Sequence, residues 1–195
     1  GLSRERTESE YREALQEAHT QSRDLITLVN DLLTLNQLET AAAPLTRDEV
    51  DIADVSERAL QRLQAQIHDK NLQLDFQLHT TGVLNAPWSH VEMLLRNLLE
   101  NAVKYASDGG QVRVRCEKNS FEVFNECAPT SGWDDEKIFE PFFRPDASRN
   151  SQTGGNGLGL AISKAICDAN RWQLCVRQVE NGVIAKVVFT FLKES

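Results

Sequence analysis

The segment Gly154-Gly155-Asn156-Gly157-Leu158-Gly159-Leu160 places four glycines within six positions, directly before a stretch of helical periodicity. Glycine lets a backbone adopt conformations that a Cβ resists, and it allows a ligand to come close. A helix starting there offers unpaired N–H groups and the positive end of its dipole, both suited to phosphate oxygens. No Lys-Ser or Lys-Thr follows the glycines, so this is not a Walker A loop. Taken alone, the spacing equally suits a glycine-rich surface turn.

A second constellation lies upstream: Asn97, Glu100, Asn101, Lys104 and Tyr105. Asn97, Asn101 and Lys104 recur at helical spacing and share one face. Two carboxamides and an ammonium can hold a hydrated Mg²⁺ and a polyphosphate, because Mg²⁺ keeps several waters and needs few protein ligands. In isolation the pattern also describes a solvated polar face opposite Leu95, Leu98 and Leu99.

The elements that position these residues belong to a chain of 195 residues, enough for one compact domain with an appended element. Lys and Arg number 21 against 29 Asp and Glu, a formal charge of −8. That balance disfavours nucleic acid as a partner and general adhesion to anionic lipid. A hydrophobic fraction of 41% with 26% charged residues excludes disorder throughout. The most apolar stretch, Val183 to Phe191, contains Lys186 and is too short to span a bilayer. The first residues lack the apolar segment of a secretory signal. Cys116, Cys127, Cys167 and Cys175 form no CxxC pair, so reduced thiols in a cytoplasmic, soluble piece are expected.

The first forty residues read as one helix, opened by a Thr7/Glu10 capping box. Tyr11, Ala18, Leu25 and Leu32 recur every seventh residue, with Ala14, Gln21, Leu28 and Leu35 as the companion series. This apolar seam, widened by Val29 and Leu38, requires a partner helix. The run Thr40-Ala-Ala-Ala-Pro44 breaks it. The reading divides the chain into a helix over 1–41, a hinge over 42–47 and a domain over 48–195.

In that domain, helices are predicted from about Ile52 to Asp69, Val91 to Ala106 and Leu158 to Ala169. Strands are predicted around Leu72 to Leu78, Val112 to Val114, Phe121 to Phe124, Trp172 to Val179 and Val183 to Phe191. Asn181-Gly182 signals the last hairpin. The long polar stretch from Glu126 to Asn156, interrupted by the run Lys137 to Arg144, reads as a functional or mobile loop. The expected fold class is α+β: a two-layer sandwich, with helices on one face of a mixed sheet, preceded by one long helix.

Three segments in order resemble the boxes of bacterial two-component sensor histidine kinases. Arg96 to Tyr105 is similar to the N box, Ile138 to Arg144 to the F box, and Gly155 to Ile162 to the G2 box. Leu28 to Glu39 is similar to the end of the second dimerisation helix. The resemblance runs from about Tyr11 to Phe191 and implies the GHKL ATP-binding fold.

It implies that Asn101 coordinates Mg²⁺ and that Asn97 supports the phosphate and water network. Lys104 would approach the phosphates, Tyr105 would pack near the nucleotide, and Gly155, Asn156, Gly157, Leu158, Gly159 and Leu160 would line the phosphate end. Arg144 to Thr153 would form a lid, with Arg149 reaching phosphate. The bound ATP would offer its γ-phosphate to a histidine on a dimeric helical bundle. The resemblance further implies a homodimer through the first helix, a response regulator as partner, and a parent protein anchored in the bacterial inner membrane.

The family's G1 box, Asp-x-Gly-x-Gly, is replaced by Asn125-Glu126-Cys127-Ala128-Pro129. Asn125 keeps an acceptor oxygen for the adenine amino group without the charge. Cys127 and Pro129 stand where the family has glycines, and Ala185 stands about where it often has a Thr. The phosphoacceptor H box has no match, because His19, His68, His79 and His90 all lack its context. A degenerate nucleotide-binding module working through helix pairing is therefore the alternative. Redox control through Cys127 is a further one, disfavoured by its acidic surroundings.

Overall fold

The computed structural model describes residues 7–40, 46–78, 83–145 and 156–190. Helix α1, Glu8–Thr40, is opened by the expected box: Thr7 N–H donates to Glu10 Oε2 at 2.7 Å, and Glu10 N–H to Thr7 Oγ1 at 3.3 Å. Beyond it come β1 (Asp48–Asp51), α2 (Ile52–Asp69), β2 (Gln73–Leu78), β3 (Val83–Ala86) and α3 (Trp88–Tyr105). Then follow β4 (Gln111–Glu117), β5 (Ser120–Glu126), a 3₁₀ turn at Lys137–Phe139, α4 (Gly159–Asn170), β6 (Gln173–Val179) and β7 (Gly182–Val188).

Five strands form one sheet in the order β2-β4-β5-β7-β6. Only β2 and β4 run parallel, because α3 intervenes between them; the other neighbours are antiparallel. The Asn181-Gly182 turn joins β6 to β7 as expected. Val112, Val114, Phe121, Val123, Ala185 and Val187 point inward and are buried under the helices. The opposite face is polar: Arg115 and Lys186 flank Glu122 at 3.9 and 3.5 Å, and Arg113 stacks over Phe124. One apolar face and one charged face are what alternation along an antiparallel strand produces.

Two features differ from the expectation. Strands β1 and β3 pair antiparallel as a separate two-stranded sheet, with Val50 opposite Leu84. They are four residues long and pair across α2 and β2, so local alternation carries little trace of them. Helix α1 also does not leave its whole seam unpartnered. Leu35 is buried, and Leu28 and Leu38 pack against the same core, whereas Tyr11, Leu25, Val29 and Leu32 remain exposed. Of the expected hinge over 42–47, residues 42–45 lie outside the described residues.

Candidate functional site

Helix α3 positions the site because its two faces differ. Val91, Leu94, Leu95, Leu98, Leu99, Ala102 and Val103 are buried against α2 and the sheet, which fixes its rotation. Asn97 and Asn101 then face α4. Asn97 Nδ2 donates to the Gly159 carbonyl at 3.2 Å, and a Cβ on Gly159 would lie 3.7 Å from Asn101 Nδ2. The two predicted constellations, 62 residues apart in sequence at that bond, are thus in direct contact.

The start of α4 has the character a phosphate site needs. Leu158 stands at its N-cap with no side-chain capping bond, and no acidic residue occupies the first turn. The N–H groups of that turn are therefore not satisfied by a cap, and the dipole end is not neutralised. Ser163 Oγ donates to the Gly159 carbonyl at 2.7 Å, so that carbonyl is held from two sides. Gly157 precedes with φ +69, and Phe142 N–H donates to its carbonyl at 3.1 Å. Phe142 itself adopts φ +66, an uncommon conformation for an aromatic residue. The F-box segment is thereby clamped to the glycine loop.

Lys104 lies with Nζ 5.0 Å from the Tyr105 ring centroid, at the exposed end of α3. Asn125 is buried at the end of β5, and its Nδ2 finds no hydrogen-bond partner among the described residues. Cys127, two residues on, is half-buried and donates its N–H to the Asn181 carbonyl at 3.2 Å. Arg144, Asn156 and Leu160 are half-buried and Leu158 is buried. Arg149 and Gly155 lie outside the described residues. Among the described residues no group of three His, Cys, Asp or Glu side chains could hold a metal ion. The donors present, two carboxamides beside uncapped amides, instead fit a cation that brings its own phosphate and water ligands.

One functional neighbour was not foreseen. Lys70 Nζ donates to the carbonyls of Val103, Lys104 and Ala106 at 3.1, 2.8 and 2.6 Å, closing the C-terminus of α3 with a positive charge. It acts from 33 to 36 residues away, so no local pattern announces it. Lys70→Met is expected to lower stability by about 1–2 kcal/mol, read as a shift of the urea unfolding midpoint.

Titration at the site is shaped by desolvation. Partial burial raises Asp31 on α1 and Glu100 on α3 above the ordinary carboxylate range, while Arg96 lowers both. Glu92 and Asp31 also push Glu100 up, and Lys104 pulls it down. Burial lowers His90, which shares a 2.8 Å hydrogen bond with Asn170. Burial pushes the Cys167 thiol up to about 12 and raises Cys116, so both are inert thiols. None of the four cysteines is in a disulfide.

A cavity of about 340 Å³ lies away from this chemistry, between Leu35 and Leu38 of α1 and Ala161 and Ala165 of α4, with Phe139 and Pro141. It marks the α1 docking surface. No helix among the described residues is long and apolar enough to cross a membrane.

A mixed sheet covered by helices on one face, with α4 opening toward an asparagine-bearing helix, is the architecture of an ATP-binding α/β sandwich. The family described as "Histidine kinase-, DNA gyrase B-, and HSP90-like ATPase" matches residues 88–194, more than half of the chain, and the chain belongs to it. Within the family it corresponds to the ATP-binding catalytic core of a sensor histidine kinase. The circadian input-output histidine kinase CikA of Synechococcus elongatus is 30% identical over 186 residues, 92% of this chain and 24% of that protein. The crystal structure of full-length ShkA in complex with AMPPNP superposes with a TM-score of 0.78 at 23% identity, covering 94% of this chain and 39% of that one. Histidine kinase ThkA in complex with response regulator protein TrrA superposes at 0.69 and 21% identity, over 95% of this chain and 52% of that one. The chain spans between 20% and 36% of the length of the first curated relatives it matches.

Proposed function

We propose that this chain binds ATP with Mg²⁺ between α3 and α4 and presents the γ-phosphate to a histidine on a helical bundle. The observation that carries the reading is the contact of Asn97 and Asn101 with Gly159 at the uncapped start of α4. The N–H groups around Gly157, Leu158 and Gly159 hold phosphate oxygens, and the Asn101 carboxamide oxygen holds the cation. The cation supplies charge neutralisation at the phosphates. Lys104 adds positive charge, Tyr105 packs near the nucleotide, and Arg144 and Arg149 contact phosphate from the lid side. Asn125 and Cys127 lie toward the base. The protein's part in catalysis is then positioning and electrostatic stabilisation, as phosphoryl transfer demands.

The helix over 1–41 acts in this reading as part of the dimerisation bundle, joined through 42–47 to the catalytic domain over 48–195. Its exposed residues Tyr11, Leu25, Val29 and Leu32 form the pairing face of a homodimer. A response regulator receives the phosphoryl group, as suggested by the partner of ThkA. The nucleotide assignment draws support from the AMPPNP held by ShkA. The parent protein is anchored in the bacterial inner membrane.

The test is calorimetric titration with ATP and Mg²⁺, followed by addition of a separate helical bundle carrying the acceptor histidine. Saturable binding and transfer of labelled phosphate to that bundle are expected. Binding without transfer confines the chain to nucleotide recognition. No binding at millimolar ATP would favour the second reading, a degenerate module acting through α1, whose support is the Asn125-to-Pro129 segment.

A further inference from the structure

Strand β5 carries a buried carboxamide whose nitrogen finds no partner among the described residues. Phe121, Val123 and Asn125 alternate toward the helix layer, whereas Glu122 and Phe124 point to the charged face. Asn125 is 5% exposed and its Nδ2 has no hydrogen-bond partner among the described residues. Its cross-strand neighbours are Val112 and Val183, whose side chains offer neither donor nor acceptor. Buried amides are ordinarily satisfied, and one left without partners loses the hydrogen bonds that water would have provided. A Leu or Val at this position would fill the space without that loss, so the amide points to a ligand.

Its position says which part of a ligand. The end of β5 is tied to the end of α3, because Ser107 N–H donates to the Glu126 carbonyl at 2.9 Å. Asn101 lies on that same helix, and the stretch from Asn101 to Ala106 rises about 7.5 Å along the axis. Asn125 therefore lies beside the C-terminal end of α3, with Asn101 and Gly159 further back along the helix. A ribose separates base from phosphates over such a span.

Resting on the nucleotide reading above, we infer that Asn125 reads the Watson–Crick edge of a purine and, being an amide, accepts a 6-oxo base as well as a 6-amino base. A carboxamide has one acceptor oxygen and a donor NH₂ side by side. Toward adenine, Oδ1 accepts from the exocyclic N6–H while Nδ2 donates to N1. Turned by a half rotation, the same group donates from Nδ2 to O6 of hypoxanthine and accepts its N1–H. A carboxylate only accepts, so it opposes O6 with lone pairs and rejects the oxo base. Ala185, the inward residue of β7 paired with Val123, adds no polar group that would discriminate from that side.

The experiment compares ATP with inosine triphosphate, each with Mg²⁺, by calorimetric titration of the protein and of Asn125→Asp. The unaltered protein is expected to bind inosine triphosphate within about tenfold of ATP. The Asn125→Asp variant is expected to shift that ratio toward ATP by tenfold or more, since a site built from mismatched hydrogen-bonding groups discriminates strongly. A preference for ATP larger than about tenfold in the unaltered protein overturns the inference even if the variant does not fold. An unchanged ratio in a folded variant, checked by circular dichroism, overturns it as well. Either result leaves nucleotide binding standing. Failure to bind both triphosphates removes the nucleotide reading and this inference with it.

Discussion

Asn101→Ala is expected to weaken Mg²⁺-dependent ATP binding by roughly 10–100-fold while the protein stays folded. The side chain is half-buried on the polar face of α3, beside the start of α4, and belongs to none of the buried apolar packing. Truncating it leaves the neighbouring core residues Leu98, Ala102 and Val103 in place. What is lost, on the proposed function, is the neutral oxygen assigned to a hydrated cation beside the phosphates. The measurement is a pair of ATP titrations, with Mg²⁺ and with excess chelator. The wild type should show a large difference between them and the variant a small one; equal differences in both would take the cation away from Asn101.

Gly157→Ala is the second large effect, and it acts through the backbone. The residue sits at φ +69, and a Cβ there would stand 3.0 Å from both the carbonyl carbon and the Cα of Phe142, and 3.2 Å from the Phe143 oxygen. These are main-chain atoms, so no side chain can swing aside. The loop must move, breaking the Phe142 N–H bond to Gly157 and displacing the amides ahead of α4. A stability loss of about 1–3 kcal/mol in urea unfolding and at least a tenfold loss of ATP affinity are expected. Gly109→Ala serves as the control. It has a similar φ of +73 but nothing within 4 Å of its Cβ position, so it reports the backbone penalty without the clash. Equal losses in the two variants would show that crowding against Phe142 is not felt.

How much of this was legible beforehand depends on distance along the chain. Helices α2 and α3 declare themselves because each has one buried apolar face over five turns, a pattern strong enough to survive context. The two segments proposed to hold phosphate were legible for the same reason, since the glycines and the asparagine pair are each a local cluster. Strands β1 and β3 left almost no signal: Asp48-Glu49-Val50-Asp51 has one buried residue, and its partner lies beyond a helix and another strand. The alternation of β2 overstated its burial, because Leu74 sits on an edge strand and is exposed. Lys70 and the Asn97–Gly159 bond depend on how elements pack, which spacing alone does not contain. The opposite case is Asn125. Its departure from the G1 pattern was visible in the sequence, but that its Nδ2 lacks a partner among the described residues emerges only once Val112 and Val183 are seen beside it.

Helix α1 is about 50 Å long at 1.5 Å per residue, and only its last turns are rooted in the domain through Leu28, Leu35 and Leu38. Leu35 and Leu38 lie against the flank of α4, beside Ala161 and Ala165, and the first turn of that helix carries Gly159. A twist imposed far up the rod therefore has two outcomes: α4 turns with it, or Leu35 is levered out into water at a cost of about 1.5–3 kcal/mol. The rod is in this sense a crank whose throw is delivered at the start of α4, the end proposed to meet phosphate, with the Leu35 anchor setting how much torque is transmitted before it slips.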